Sequence, residues 1–113
     1  MNVIAITGNL CNDIELKYTK NGKEFVENTL GVLKDIKNEN GILQSDFIDF
    51  VCFEKKAIYM KEYAKKGDKI EITGKLRVDS WKGEDGTSHK RSYVVADKIK
   101  VLTSRPKQQE MPF

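Results

Sequence analysis

The chain predicts an all-β fold: a small five-stranded barrel carrying one short helix. Three observations lead there. Runs rich in β-branched and aromatic residues alternate with Asn/Gly/Asp turns, a single stretch has helical spacing, and 113 residues suit one domain.

The elements follow in order. Val3-Ile4-Ala5-Ile6-Thr7 is a short apolar run closed by Gly8-Asn9 and reads as a buried first strand. Residues 15–19 alternate weakly and meet Asn21-Gly22, a hairpin signal. A second strand runs from Phe25 to Ile36, with Val26, Asn28, Leu30 and Val32 on one parity. After the turn at 38–41, a third strand spans 43–53. Residues 55–66 then place Ala57, Met60, Tyr63 and Ala64 at helical spacing beneath a Lys-rich face. Gly67 suits the position just past the helix, with Lys65 and Lys66 at the negative end of its dipole. Residues 68–81 form the clearest strand: Ile70, Ile72, Gly74, Leu76 and Val78 share one face, and Lys75, Arg77, Asp79 and Trp81 lie on the other. The turn at 83–86 leads to a last strand over 89–102. Three strands, a helix between strands three and four, and two more strands are the layout of the OB-fold barrel; a five-stranded sandwich is the alternative. Residues 1–103 form the expected domain, and 104–113, which hold both prolines, an expected flexible tail.

Composition narrows the function classes. No apolar run approaches the roughly 18 residues of a membrane helix. With no export signal, the chain reads as cytoplasmic, and Cys11 and Cys52, too far apart to pair as a motif, read as reduced thiols. Charge is uneven. Residues 1–56 carry seven cations against nine anions, and residues 57–113 carry thirteen against eight. Excess cation in the second half suits a phosphate-bearing partner.

Catalysis finds little support. His89 is the sole histidine and reads as a surface residue beside the last turn. No zinc-protease, phosphate-loop or serine-hydrolase motif occurs. Asp46 and Asp49 sit three apart in a strand, on opposite faces, and cannot share a metal. The expectation is a non-enzyme with neither cofactor nor metal.

The third strand is more informative. Ile48, Phe50 and Cys52 share one face; Phe47, Asp49, Val51 and Phe53 share the other. A small barrel fills its interior from one face, so the other apolar set lies outside. With Phe47 and Phe53 outside, their partner is either a single-stranded nucleic acid, whose bases stack on aromatic rings, or another protein surface. Trp81 favours the nucleic acid. It falls on the outward parity near Lys75, Arg77, Lys82, Lys90 and Arg91, combining a stacking ring with charge for the backbone.

From 3 to 102 the chain resembles the bacterial single-stranded-DNA-binding protein family, in its cellular, phage or plasmid forms. The resemblance rests on Val3-Ile4 through Gly8-Asn9-Leu10, Lys17-Tyr18, Phe47, Val51-Cys52-Phe53 with Lys55, Tyr63 through Gly67, Ile72 through Arg77, and Trp81 before Asp85-Gly86. It implies an OB-fold assembled as a homotetramer that binds single-stranded DNA during replication, recombination and repair. It also implies base stacking on Phe47, Phe53 and Trp81, and backbone contacts from Lys17, Lys55, Lys66 and Arg77. Met111-Pro112-Phe113 resembles the family's tip for docking replication and repair proteins, but Glu110 is the tail's only acid and the usual long linker is missing. Ile36 stands where relatives often carry an aromatic, and Asp49 and Asp79 place acids on the outward faces. These departures imply weaker binding or a strand path shifted toward Trp81. An OB-fold replication adaptor and a single-stranded RNA binder are the other readings.

Overall fold

A computed structural model describes residues 1–103. The proposed tail at 104–113, with Met111, Pro112 and Phe113, lies outside the described residues. The described strands are β1 (Ile4–Leu10), β2 (Lys17–Tyr18), β3 (Glu24–Lys37), β4 (Leu43–Phe53), β5 (Lys69–Lys82) and β6 (Ser88–Val101), with α1 (Lys55–Tyr63) between β4 and β5. The expected barrel is present, with the two-residue β2 added at its edge.

Closure follows from the pairing order. β1 pairs with β5, β5 with β6, β6 with β4 and β4 with β3, and β3 returns to β1 at Asn9↔Gly31 and Leu10↔Leu30. Every ladder is antiparallel except β4–β6, a parallel contact of only Phe50↔Val94 and Val51↔Val95. Inward positions fill the interior: Leu10, Val26, Leu30, Phe50, Cys52, Ile70, Ile72 and Val94 are buried. Ala57, Met60 and Ala64 seal one end from α1 and the residue beyond it. The Tyr59 hydroxyl ties the helix to β6 by accepting from the Val101 N–H at 3.0 Å. Asn28, buried on the inward parity, donates to the carbonyls of Asn12 and Asp13 and so holds the β1–β2 connection.

Several local expectations need correction. β1 does not stop at Gly8-Asn9 but runs to Leu10, because these residues pair with Ile70 and Lys69. Gly8 lies so near β3 that a Cβ there would sit 2.6 Å from the Gly31 carbonyl oxygen. Nor is the run 3–7 wholly buried. Ile4 and Ile6 pack inward, whereas Val3 and Ala5 are exposed. The helix ends at Tyr63, and Ala64 is extended, so Gly67 is not its cap. Gly67 instead takes a positive φ of 92° in the turn that brings its N–H to the Leu10 carbonyl. The cation on the last helical turn is Lys61, not Lys65 or Lys66.

β5 holds its predicted alternation, but Leu76 and Val78 are exposed. Past Leu76↔Val94, beside the last pairing of β6 with β4, β5 and β6 run on as a two-stranded arm ending at Lys82↔Ser88. A bulge in β6 lies just before it, within the barrel, since Thr73 pairs with Lys98 and Gly74 with Ala96, leaving Asp97 as the extra residue.

Candidate nucleic-acid interface

Alternation places one continuous set of side chains on the barrel's outer wall. Along β4 these are Phe47, Asp49, Val51 and Phe53, facing Gly31, Thr29, Glu27 and Phe25 of β3. β2 adds Lys17 opposite Phe25. Across the parallel contact, β6 contributes Val95, Tyr93, Arg91 and His89, opposite Lys75, Arg77, Asp79 and Trp81 of β5.

The three aromatics singled out from sequence are on this wall. Phe47 is 72% exposed, and its ring lies over Gly31. Phe53 is 36% exposed and meets Phe25 at 6.2 Å between centroids. Trp81 is 51% exposed and stacks at 5.6 Å and 21° on His89, its partner across the arm. His89 is therefore more than a lone surface residue: it backs one face of the indole, and its Nε2 lies 2.8 Å from the Thr87 hydroxyl. The turn register carries that signal, because closing the hairpin at Lys82↔Ser88 puts Trp81 opposite His89.

Between the Phe53 region and the arm lies an open groove of about 440 Å³. Val51 and Val95 form its floor, Phe25, Phe53 and Tyr93 supply rings, and Glu27, Arg77, Asp79 and Arg91 supply charge. Phe25 and Tyr93 were not expected there. Their parity was readable, but the pairing that joins four strands into one wall was not.

Charge on the wall is partly cancelled. Arg91 lies 3.7 Å from both Glu27 and Asp49, and Lys17 lies 3.8 Å from Glu27. The Thr29 hydroxyl donates to Asp49 at 2.8 Å and fixes that carboxylate toward the wall. Tyr93 donates to Asp79 at 3.3 Å. Burial first, and then that bond to Asp79, raises the phenol above its ordinary range. Lys75 and Arg77 are exposed on the same face and belong to none of the ion pairs among the described residues.

The structure does not bring every candidate cation together. Lys82 and Lys90 lie on the arm's opposite face, with Val78 and Ser80, because each alternates away from Trp81. Lys55 opens α1. Lys66 sits in the α1–β5 loop, its N–H 3.4 Å from Asp13. Ile36 is exposed on the β3–β4 hairpin, outside the groove. Asp46 and Asp49 do alternate: Asp46 meets Lys34 at 3.5 Å while Asp49 faces the outer wall. Among the described residues no group of three His, Cys, Asp or Glu side chains is placed to hold a metal ion. None of their helices is long and apolar enough to cross a membrane.

A closed five-stranded barrel with one capping helix, an outer wall of exposed rings and a two-stranded arm define an OB-fold protein with an aromatic outer wall. Residues 1–102 match the Single-strand binding protein family, to which the chain belongs. It is 32% identical over 105 residues to the Single-stranded DNA-binding protein of Streptococcus mutans, covering 93% of this chain and 64% of that protein. Single-stranded DNA-binding protein 1 of Streptococcus pyogenes is also 32% identical, over 93% of this chain and 81% of its own length. Single-stranded DNA-binding protein 3 of Streptococcus agalactiae is 31% identical, over 97% and 80%. The chain thus spans just under two thirds of the S. mutans relative.

Proposed function

We propose that this protein binds single-stranded DNA without regard to sequence, laying bases on Phe47, Phe53 and Trp81 and phosphates along outer-face cations. The observation that carries the reading is the exposure of these rings on one continuous wall, with an open groove beside Phe53. A folded chain leaves several large rings in water at a cost unless a partner covers them. Unpaired bases stack on such rings for roughly 1–3 kcal/mol each, whatever their identity. Lys75 and Arg77 lie on the same face for the backbone. Family membership supports DNA over RNA as the ligand, at strands opened during replication, recombination and repair.

Self-association belongs to the proposal, with the homotetramer as the expected state. β1 supports it: its register with β3 covers only Asn9 and Leu10, and Val3 is exposed beside it. Docking of replication or repair proteins on Met111-Pro112-Phe113 rests on the resemblance alone.

Trp81, the only tryptophan, gives a direct test. Oligo(dT) should quench its fluorescence, with affinity falling as salt rises. Duplex DNA of equal length should compete weakly. Equal competition by duplex, or no quenching, would refute the reading.

A further inference from the structure

Arg91 lies on the proposed binding wall but differs from the other cations there. Its Nη1 is 3.7 Å from Glu27 Oε2 and its Nη2 is 3.7 Å from Asp49 Oδ2. Its Cζ lies 5.5 Å from the Tyr93 ring centroid. The side chain is 46% exposed and lines the groove beside Phe53. Two carboxylates thus flank one guanidinium, so its charge is already cancelled locally when a phosphate arrives. Lys17 offsets this only in part, since it shares Glu27.

The donors of Arg91 are a different matter from its charge. At 3.7 Å the carboxylates orient the guanidinium by attraction but stand beyond ordinary hydrogen-bond length. Its N–H groups remain available to a neutral acceptor. The groove also has the size of a small-ligand site, with a floor of valine and walls of aromatic ring.

We infer that Arg91 is a base-contacting residue: it donates to the carbonyl or ring-nitrogen edge of one unstacked nucleobase in this groove, while Lys75 and Arg77 take the phosphates. The guanidinium plane, held over Tyr93, adds a stacking surface to Phe53 and Phe25. This assignment rests on the single-strand reading of the wall and refines it.

Three measurements separate base contact from phosphate contact. Arg91→Lys keeps the charge beside Glu27 and Asp49 but lacks the planar fork, and should weaken oligo(dT) binding about tenfold with an unchanged salt slope, whereas lysine in place of a phosphate-contacting arginine keeps the affinity. On an oligomer of abasic sugar phosphates, wild type and Arg91→Lys should bind equally. Wild-type affinity for oligo(dT) in Arg91→Lys, or an equal loss on the abasic strand, would each overturn the assignment. The double variant Glu27→Gln/Asp49→Asn supplies the converse. It frees the charge of Arg91, and its slope should steepen by about 0.7; an unchanged slope also counts against the inference. Thermal melts monitored by circular dichroism show that each variant is folded. If wild type binds neither polymer, the single-strand reading fails and the Arg91 assignment falls with it.

Discussion

Single side chains on the β3–β4 strands have sharply different surroundings one position apart. Cys52 is fully buried between rows of core residues, while Phe53 beside it reaches the outer groove. Burial pushes the Cys52 thiol up to about 12, against a smaller lowering by Lys56. At pH 8 only about one molecule in 10⁴ would carry the thiolate, so Cys52 should resist alkylation. Cys11 is half-buried at the barrel surface. A disulfide reagent at pH 8 should therefore modify one thiol quickly in the native protein and two in guanidinium; two fast native thiols would contradict the packing. This alternation was legible from sequence, because Phe50 and Cys52 had to face away from Phe47 and Phe53. The Arg91 clamp was not legible. Glu27, Asp49 and Arg91 come from three strands, and only their register shows that the acids meet that cation instead of repelling the ligand outright.

Among the elements, the β5–β6 hairpin is where pattern reading stopped short. Ile70, Ile72, Gly74, Leu76 and Val78 keep strict alternation, so nothing in the period marks where the barrel ends. It ends at Leu76↔Val94, two residues past Gly74. A Cβ at Gly74 would fall inside contact distance of the Val95 carbonyl, next to the bulge at Asp97. Glycine permits the close approach, and the bulge turns the ribbon outward. Gly74→Ala forces two backbones apart and should cost about 3 kcal/mol, lowering the melting temperature by roughly 10–20 °C. A calorimetric melt within about 2 °C of wild type would show that the approach is looser than described. The same arm explains why Lys82 and Lys90, close to Trp81 along the hairpin, do not share its face. Nearness along the chain was clear, but strand alternation sends those two lysines to the other face. The helix end was misread for a related reason: Gly67 carries the expected positive φ, yet the residues before it had already left the helix.

At the scale of the whole molecule, strand order and the position of the helix were legible because turns punctuate every element and helical spacing occurs once. Closure was not. It depends on a parallel contact of two residue pairs between strands distant in sequence, and no local pattern announces it. That contact makes the wall one surface, bringing Val51 beside Val95 and so the β3–β4 rings beside Tyr93 and Arg91. The central claim is that a single strand lies across this surface. Chemical-shift mapping of amides and aromatic side chains during titration with oligo(dT) tests it most directly. Phe47, Phe53, Tyr93, Arg91 and Trp81 should shift together, while Val78, Lys82 and Lys90 on the arm's far face and Ile58 on the helix should not. Shifts centred on the far face or on the helix, with the rings of the wall unmoved, would contradict the account.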